Sequence, residues 1–188
     1  MKKKKLQYAF MLFILVAIAQ LFVPIQMILG QEKVLNEGEV YKFKTRPIDP
    51  SDPYRGKYIT LRYDINTANT KDTLWERKEE VYVYLKKDSL GFAELVEVSK
   101  TPLAIDNDYV LAETSWYNRN SKKLNFNLPF NRFYMEETKA KPAEDAFRIA
   151  QRDSLPNNTY GLVYIKDGEA VLKDVLINDM SIADYIEE

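Results

Sequence analysis

Lys57-Tyr58-Ile59-Thr60-Leu61-Arg62-Tyr63-Asp64-Ile65 alternates without a fault. Ile59, Leu61, Tyr63 and Ile65 share one parity; Tyr58, Thr60, Arg62 and Asp64 share the other. Successive side chains of a strand point to opposite faces, so this stretch reads as a half-buried strand. The same period recurs outward along the chain. Glu39-Val40-Tyr41-Lys42-Phe43-Lys44 precedes it, and Glu80-Val81-Tyr82-Val83-Tyr84-Leu85 follows. A turn at Lys87-Asp88-Ser89-Leu90-Gly91 returns the chain into residues 92–98. Residues 109–116 and 123–128 form a second pair around Asn118-Arg119-Asn120-Ser121. Residues 160–165 and 170–177 flank Asp167-Gly168. Asp-Gly between apolar runs marks a type I′ hairpin, which needs two positive φ angles.

One segment departs from this period. Residues 136–152 are rich in Ala, Glu, Lys and Arg, with Ala143, Ala146, Phe147 and Ala150 at helical spacing. Pro142 suits a first turn, so the reading is a helix of about ten to twelve residues starting near it. Short strands at regular spacing plus one short helix give a mainly β fold, an antiparallel sandwich or small barrel.

The N-terminus is of another kind. Met1-Lys2-Lys3-Lys4-Lys5 is followed by 26 residues, 6–31, without a charged side chain. That length exceeds the roughly 20 residues needed to cross a hydrocarbon core. The four lysines orient such a helix with its tip in the cytoplasm and the rest exported. Pro24 is expected to kink the helix or end it early. Ala17-Ile18-Ala19 has the small-x-small pattern of a cleavage site, so a cleaved signal peptide is the rival reading. The apolar character continues past it, through Leu21-Phe22-Val23-Pro24-Ile25 to Leu29, which favours an anchor. The expected organisation is a basic cytoplasmic tip (residues 1–5), a transmembrane anchor (6–30) and a single exported domain (31–188). That domain would be extracytoplasmic, on the plasma (cytoplasmic) membrane of a bacterium.

Composition removes whole classes of chemistry. The 188 residues include no His and no Cys, which excludes Ser-His-Asp and Cys-His nucleophilic sites, disulfides and Cys/His zinc sites. Without Lys2, Lys3, Lys4 and Lys5 the chain carries 23 basic and 28 acidic residues, a net charge of −5. A nucleic-acid-binding surface would be basic and clustered, so no nucleic-acid partner is expected. Asp106-Asn107-Asp108 lacks the Gly and Glu of a calcium loop and reads as a polar turn. No metal and no cofactor are expected. None of the serines stands three residues before a Lys, the local spacing of a Ser-Lys hydrolase. Glu136 and Glu137 are neighbours and point different ways on a regular element.

The most distinctive stretch leads into the strand first quoted: Arg46-Pro47-Ile48-Asp49-Pro50-Ser51-Asp52-Pro53-Tyr54-Arg55-Gly56. Its three prolines fix φ and remove three donors, and each extends the residue before it. Asp49 and Asp52 can tighten the turns, and Gly56 allows a bulge as the strand begins. At Gly56-Lys57-Tyr58-Ile59-Thr60-Leu61-Arg62-Tyr63 the chain resembles the GDYXXLXY family. Gly56, Tyr58, Leu61 and Tyr63 match the naming motif, and Lys57 stands where the family has Asp. Asn131-Arg132-Phe133-Tyr134-Met135-Glu136-Glu137, the Pro-x-Asp-Pro loop and the anchor are also similar to members of that family. The resemblance implies a membrane-anchored exported domain of unassigned function, accompanying a polytopic membrane protein.

The expectation is therefore a single-pass, protein-binding accessory module. Its candidate binding face is Arg46, Asp49, Asp52, Tyr54, Arg55, Gly56, Lys57, Tyr58, Leu61 and Tyr63, together with Phe130, Arg132, Phe133, Tyr134, Glu136 and Glu137. The alternatives are an exported hydrolase using carboxylate or Ser-Lys chemistry, and a small-ligand module with an aromatic pocket.

Overall fold

The computed structural model describes residues 2–46, 58–70, 72–152 and 159–187. In chain order the elements are α1 (Lys2–Glu37), β1 (Glu39–Arg46), β2 (Tyr58–Thr60), β3 (Arg62–Tyr63), β4 (Thr67–Asn69), β5 (Glu80–Lys87), β6 (Ala93–Ser99), β7 (Tyr109–Asn118) and β8 (Lys123–Asn127). They continue with β9 (Arg132–Tyr134), α2 (Glu137–Arg152), β10 (Thr159–Lys166), β11 (Glu169–Ile177), β12 (Met180–Ser181) and α3 (Ile182–Tyr185).

Two five-stranded antiparallel sheets make the body, in the orders β12-β11-β10-β1-β3 and β4-β8-β7-β5-β6. A two-stranded ribbon of β2 and β9 completes it. The sheets meet along seams. The Lys42 amide donates to the Gly91 carbonyl and the Leu111 amide to that of Gly168, both at 3.0 Å. The outcome is a nearly closed small barrel, which leaves few open edges to aggregate. Its core runs from Tyr41, Phe43, Leu61 and Tyr63 through Val81, Val83 and Leu85 to Val110, Phe126, Val163 and Ile165.

The turn chemistry carries the register. Asp167 (φ 50°) and Gly168 (φ 87°) make the expected two-residue turn between β10 and β11. A Cβ on Gly168 would lie 2.6 Å from the Tyr109 ring, so only glycine lets β7 approach. In the β5–β6 turn the Asp88 carboxylate accepts from the amides of Leu90 and Phe92, both at 2.8 Å. These bonds hold the carboxyl below its usual pKa, that from Phe92 contributing most.

Three expectations need correcting. The strand at residues 57–65 is not continuous. It breaks at Leu61, so that β2 pairs with β9 while β3 pairs with β1. The parity still holds: Ile59, Leu61 and Tyr63 are buried, and Thr60, Arg62 and Asp64 are exposed. The second helix starts at Glu137, not at Pro142, which sits inside it. Pro142 is exposed, so the hydrogen bond it cannot make falls on the wet side of the helix. Burial of Ala140, Ala143, Phe147 and Ala150 holds the opposite stripe. Finally, Pro24 does not end α1, which runs unbroken over 36 residues. Within it, Phe10–Glu37 is long and apolar enough to cross a membrane.

The end of α1 is locked to the barrel. Val34 is buried at 2% exposure, and its carbonyl accepts from the Gly38 amide at 2.9 Å. Lys166 pairs with Glu37 at 3.1 Å. A Cβ on Gly38 would overlap the Val34 carbonyl oxygen and lie 3.0 Å from that of Ile165, both of them backbone atoms. Gly38→Ala should therefore destabilise the domain by about 1–3 kcal/mol, the usual cost of overpacking. Gly30→Ala, whose Cβ would meet nothing within 4 Å, should not. Thermal melts of the two variants side by side check this.

Candidate functional site

The signature strand has two sides with two jobs. Its inward side is core. Leu61 is 2% exposed and Tyr63 4%. The Tyr63 ring packs edge-on against Phe43 at 5.6 Å and Phe130 at 5.2 Å. Its hydroxyl donates to the Phe130 carbonyl at 2.9 Å. Burial pushes that hydroxyl far above the usual tyrosine pKa, so it remains a donor throughout the working pH range. Gly161, paired with Phe43 on β10, leaves room for the ring: a Cβ there would sit 3.1 Å from the Tyr63 oxygen. Leu61, Tyr63 and Phe130, proposed from sequence as part of a binding face, are thus interior residues.

The outward side lies on the β2–β9 ribbon. Tyr58 opposes Tyr134 and Thr60 opposes Arg132. The Tyr58 and Tyr134 rings stand 5.4 Å apart at a tilt of 58°. The Arg132 guanidinium lies over the Tyr58 ring at 5.0 Å. A cation–π contact of this exposed kind contributes about 0.5–1 kcal/mol. Tyr134 is 64% exposed. Phe133, of opposite parity, packs inward and is half-buried. Arg46, at the end of β1, is engaged with Asp64 at 2.8 Å. Glu136 is exposed, and its carbonyl accepts from Lys139 and Ala140 as α2 begins. The Glu137 side chain lies outside the described structure. Asp49, Asp52, Tyr54, Arg55, Gly56 and Lys57 lie outside the described residues.

Beside the ribbon runs a groove of about 370 Å³. Its floor includes Leu61, Tyr63, Phe126 and Leu128, all buried. Its walls are polar: Thr60, Arg62, Asn66, Ser115, Asn125, Asn127 and Asn131. The groove follows from the break at Leu61. There the chain leaves β9 for β1, and the Leu61 amide still donates to the Asn131 carbonyl at 2.8 Å. Opposite, the register of β7 on β8 shifts between Thr114 and Trp116, leaving Ser115 unpaired in a bulge. Bulges of this kind re-aim a side chain beside a site. Among the described residues no carboxylate and no lysine lines the groove, so these residues offer binding groups without an acid–base pair. Among the described residues no group of three or more His, Cys, Asp or Glu could hold a metal ion.

Sequence reasoning passed over Thr60, Arg62, Asn127 and Asn131. Thr60 and Arg62 share the parity of Tyr58, so the strand's alternation marked them as outward. Asn131 stands at the head of the family-like segment 131–137, whereas Asn127 had no such signal, because only the fold brings β8 alongside the signature strand.

In comparisons with known proteins, a family model described as GDYXXLXY protein matches residues 20–175. No curated protein matches the chain, and no solved structure does. The match spans both the C-terminal part of α1 and most of the barrel.

Tyr63→Phe should destabilise the domain by about 1–3 kcal/mol, because it strands a buried carbonyl. Tyr134→Ala, at an exposed position, should cost at most about 1 kcal/mol. Urea unfolding followed by circular dichroism separates the two.

Proposed function

The chain belongs to the GDYXXLXY family, and from that premise and the geometry above we propose that it is a membrane-anchored accessory module that binds another protein. In this reading α1 crosses the membrane once, with Lys2, Lys3, Lys4 and Lys5 in the cytoplasm and the barrel on the outer side. The partner is a polytopic membrane protein with a part exposed on the same side as the barrel. The observation that carries the reading is the stack of Arg132 on Tyr58 beside Tyr134, held out on a two-stranded ribbon. Tyr and Arg are the residues enriched at protein interfaces, and they dominate binding hot spots. Tyrosine supplies large contact area with few rotors to order. Fold stability does not call for this stack, since the core lies on the other parity of both strands.

The site also stands away from the anchor. β1 begins one residue after α1 and ends at Arg46, whose partner in β3 is Arg62. Eight residues of strand span roughly 25 Å.

The test is a purification of the full chain from its native membrane through a C-terminal tag. The parent chain is expected to bring down a polytopic membrane protein in fixed proportion. Arg132→Ala with Tyr134→Ala should lose it while melting within a few degrees of the parent. Removal of one hot-spot residue costs about 2 kcal/mol or more of binding. Equal recovery of the partner by parent and variant, or no partner with either, contradicts the reading.

A further inference from the structure

We propose that the groove beside the signature strand receives an acidic segment of the partner polypeptide, with Arg62 as the residue that takes its carboxylate. This rests on the protein-binding reading and names its site and chemistry. Three observations lead to it.

The first is charge. Three arginines stand near one another at this end of the barrel, and they differ in what they do. Arg46 is engaged by Asp64 through its side chain and through the Asp64 carbonyl at 3.3 Å. Arg132 lies over Tyr58. Arg62 is exposed, lines the groove, and its side chain makes no ion pair or hydrogen bond with the described residues. It stands directly across the β1–β3 ladder from Arg46. Two like charges opposite each other cost stability in a sheet, and among the described residues only Arg46 has an anion, Asp64. A carboxylate delivered from outside would supply the other.

The second is hydrogen-bonding capacity. Ser115, Asn127 and Asn131 line the groove, and their side chains are not hydrogen-bonded to the described residues. Amide side chains can both donate to and accept from a peptide backbone. Their presence suits an extended polypeptide, which carries a donor and an acceptor on every residue.

The third is shape. The groove lies between β3 at the edge of one sheet and β8 in the other, over an apolar floor of Leu61, Tyr63, Phe126 and Leu128. Apolar side chains of a bound strand would face that floor on alternate positions, and its polar residues would face the walls. The volume of about 370 Å³ takes two or three residues, so the groove reads a short segment and the neighbouring Tyr58–Tyr134 stack supplies further area.

The experiment places p-benzoylphenylalanine at position 127 in the groove or at position 134 on the ribbon. Each full-length protein is irradiated in its native membrane, and the crosslinked peptide is identified by mass spectrometry. Position 127 is expected to yield a polypeptide adduct with an Asp or Glu close to the crosslinked residue. Adding Arg62→Glu should reduce that adduct by about tenfold or more, as charge reversal at a paired site does. Arg62→Lys should retain part of it, and changing the mapped acidic residue to Lys should restore the adduct in the Arg62→Glu background. Neither Arg62 variant should melt below the parent, since this side chain makes no hydrogen bond or ion pair with the described residues, and Arg62→Glu, which faces Arg46, should melt slightly higher. An adduct unchanged by Arg62→Glu, or one mapping to a segment without a carboxylate, overturns the proposal. Polypeptide adducts at position 134 with none at 127 overturn it while leaving the protein-binding reading standing. No polypeptide adduct at either position ends both.

Discussion

One buried hydrogen bond, from the Tyr63 hydroxyl to the Phe130 carbonyl, decides how the rest of the site is arranged. It ties the end of the signature strand to the loop that feeds β9. Phe43, Tyr63 and Phe130 close around it as three mutually edge-on rings, with Phe43 and Phe130 at 4.9 Å. A phenol buried this deeply without a partner would be costly, and so would a buried carbonyl without a donor. Satisfying both at once leaves a single arrangement of the segment. β3 must lie on β1, and the loop ahead of β9 must lie on β3. The ribbon and the groove are what the chain on either side does under that constraint.

The break at Leu61 is the second consequence. A strand that pairs with β9 on one side of Leu61 and with β1 on the other passes from one sheet to another, as strands do at barrel corners. The corner keeps the inward parity intact, so Ile59, Leu61 and Tyr63 enter one core. It also turns the outward residues toward a gap between sheets, where a groove with polar walls opens. The family's naming residues Leu61 and Tyr63 are thus explained by folding. Tyr58, of the opposite parity, belongs to the exposed stack.

Much of the fold was legible because its signals are local. Asp167-Gly168 needs two positive φ angles, and the chain gives it both. Asp88 and Gly91 close the β5–β6 turn through bonds that span four residues at most. Alternation identified β1, β5, β7, β8, β10 and β11, because a two-residue period is a property of one segment. The misses are non-local. Nothing between residues 57 and 65 reveals that two different strands will claim its two halves. β4, β9 and β12 are two or three residues long, too short for any period to show. Pro142 pointed to a helix start because a proline usually marks one. Its tolerance inside α2 depends on which side of that helix faces water, and packing decides that. The site was half legible for the same reason. The ribbon residues lie in two segments that are each distinctive in sequence, Tyr58–Thr60 and Arg132–Tyr134, whereas the groove walls come from β7, β8 and the chain on both sides of β3.

In the proposed reading the β2–β9 ribbon is the part of the barrel that a partner covers. Two strands alone are marginal in water, and a ribbon stabilised on one side only should open locally and often. A bound protein would hold it shut. Hydrogen–deuterium exchange of the full chain, measured in native membranes and again after purification as a monomer in detergent, tests this most directly. The predicted result is slower exchange at residues 58–62 and 131–135 in the native membrane, with the β5, β7 and β10 amides the same in both. Equal exchange of the ribbon in the two states would contradict the claim that its outward face is a binding surface.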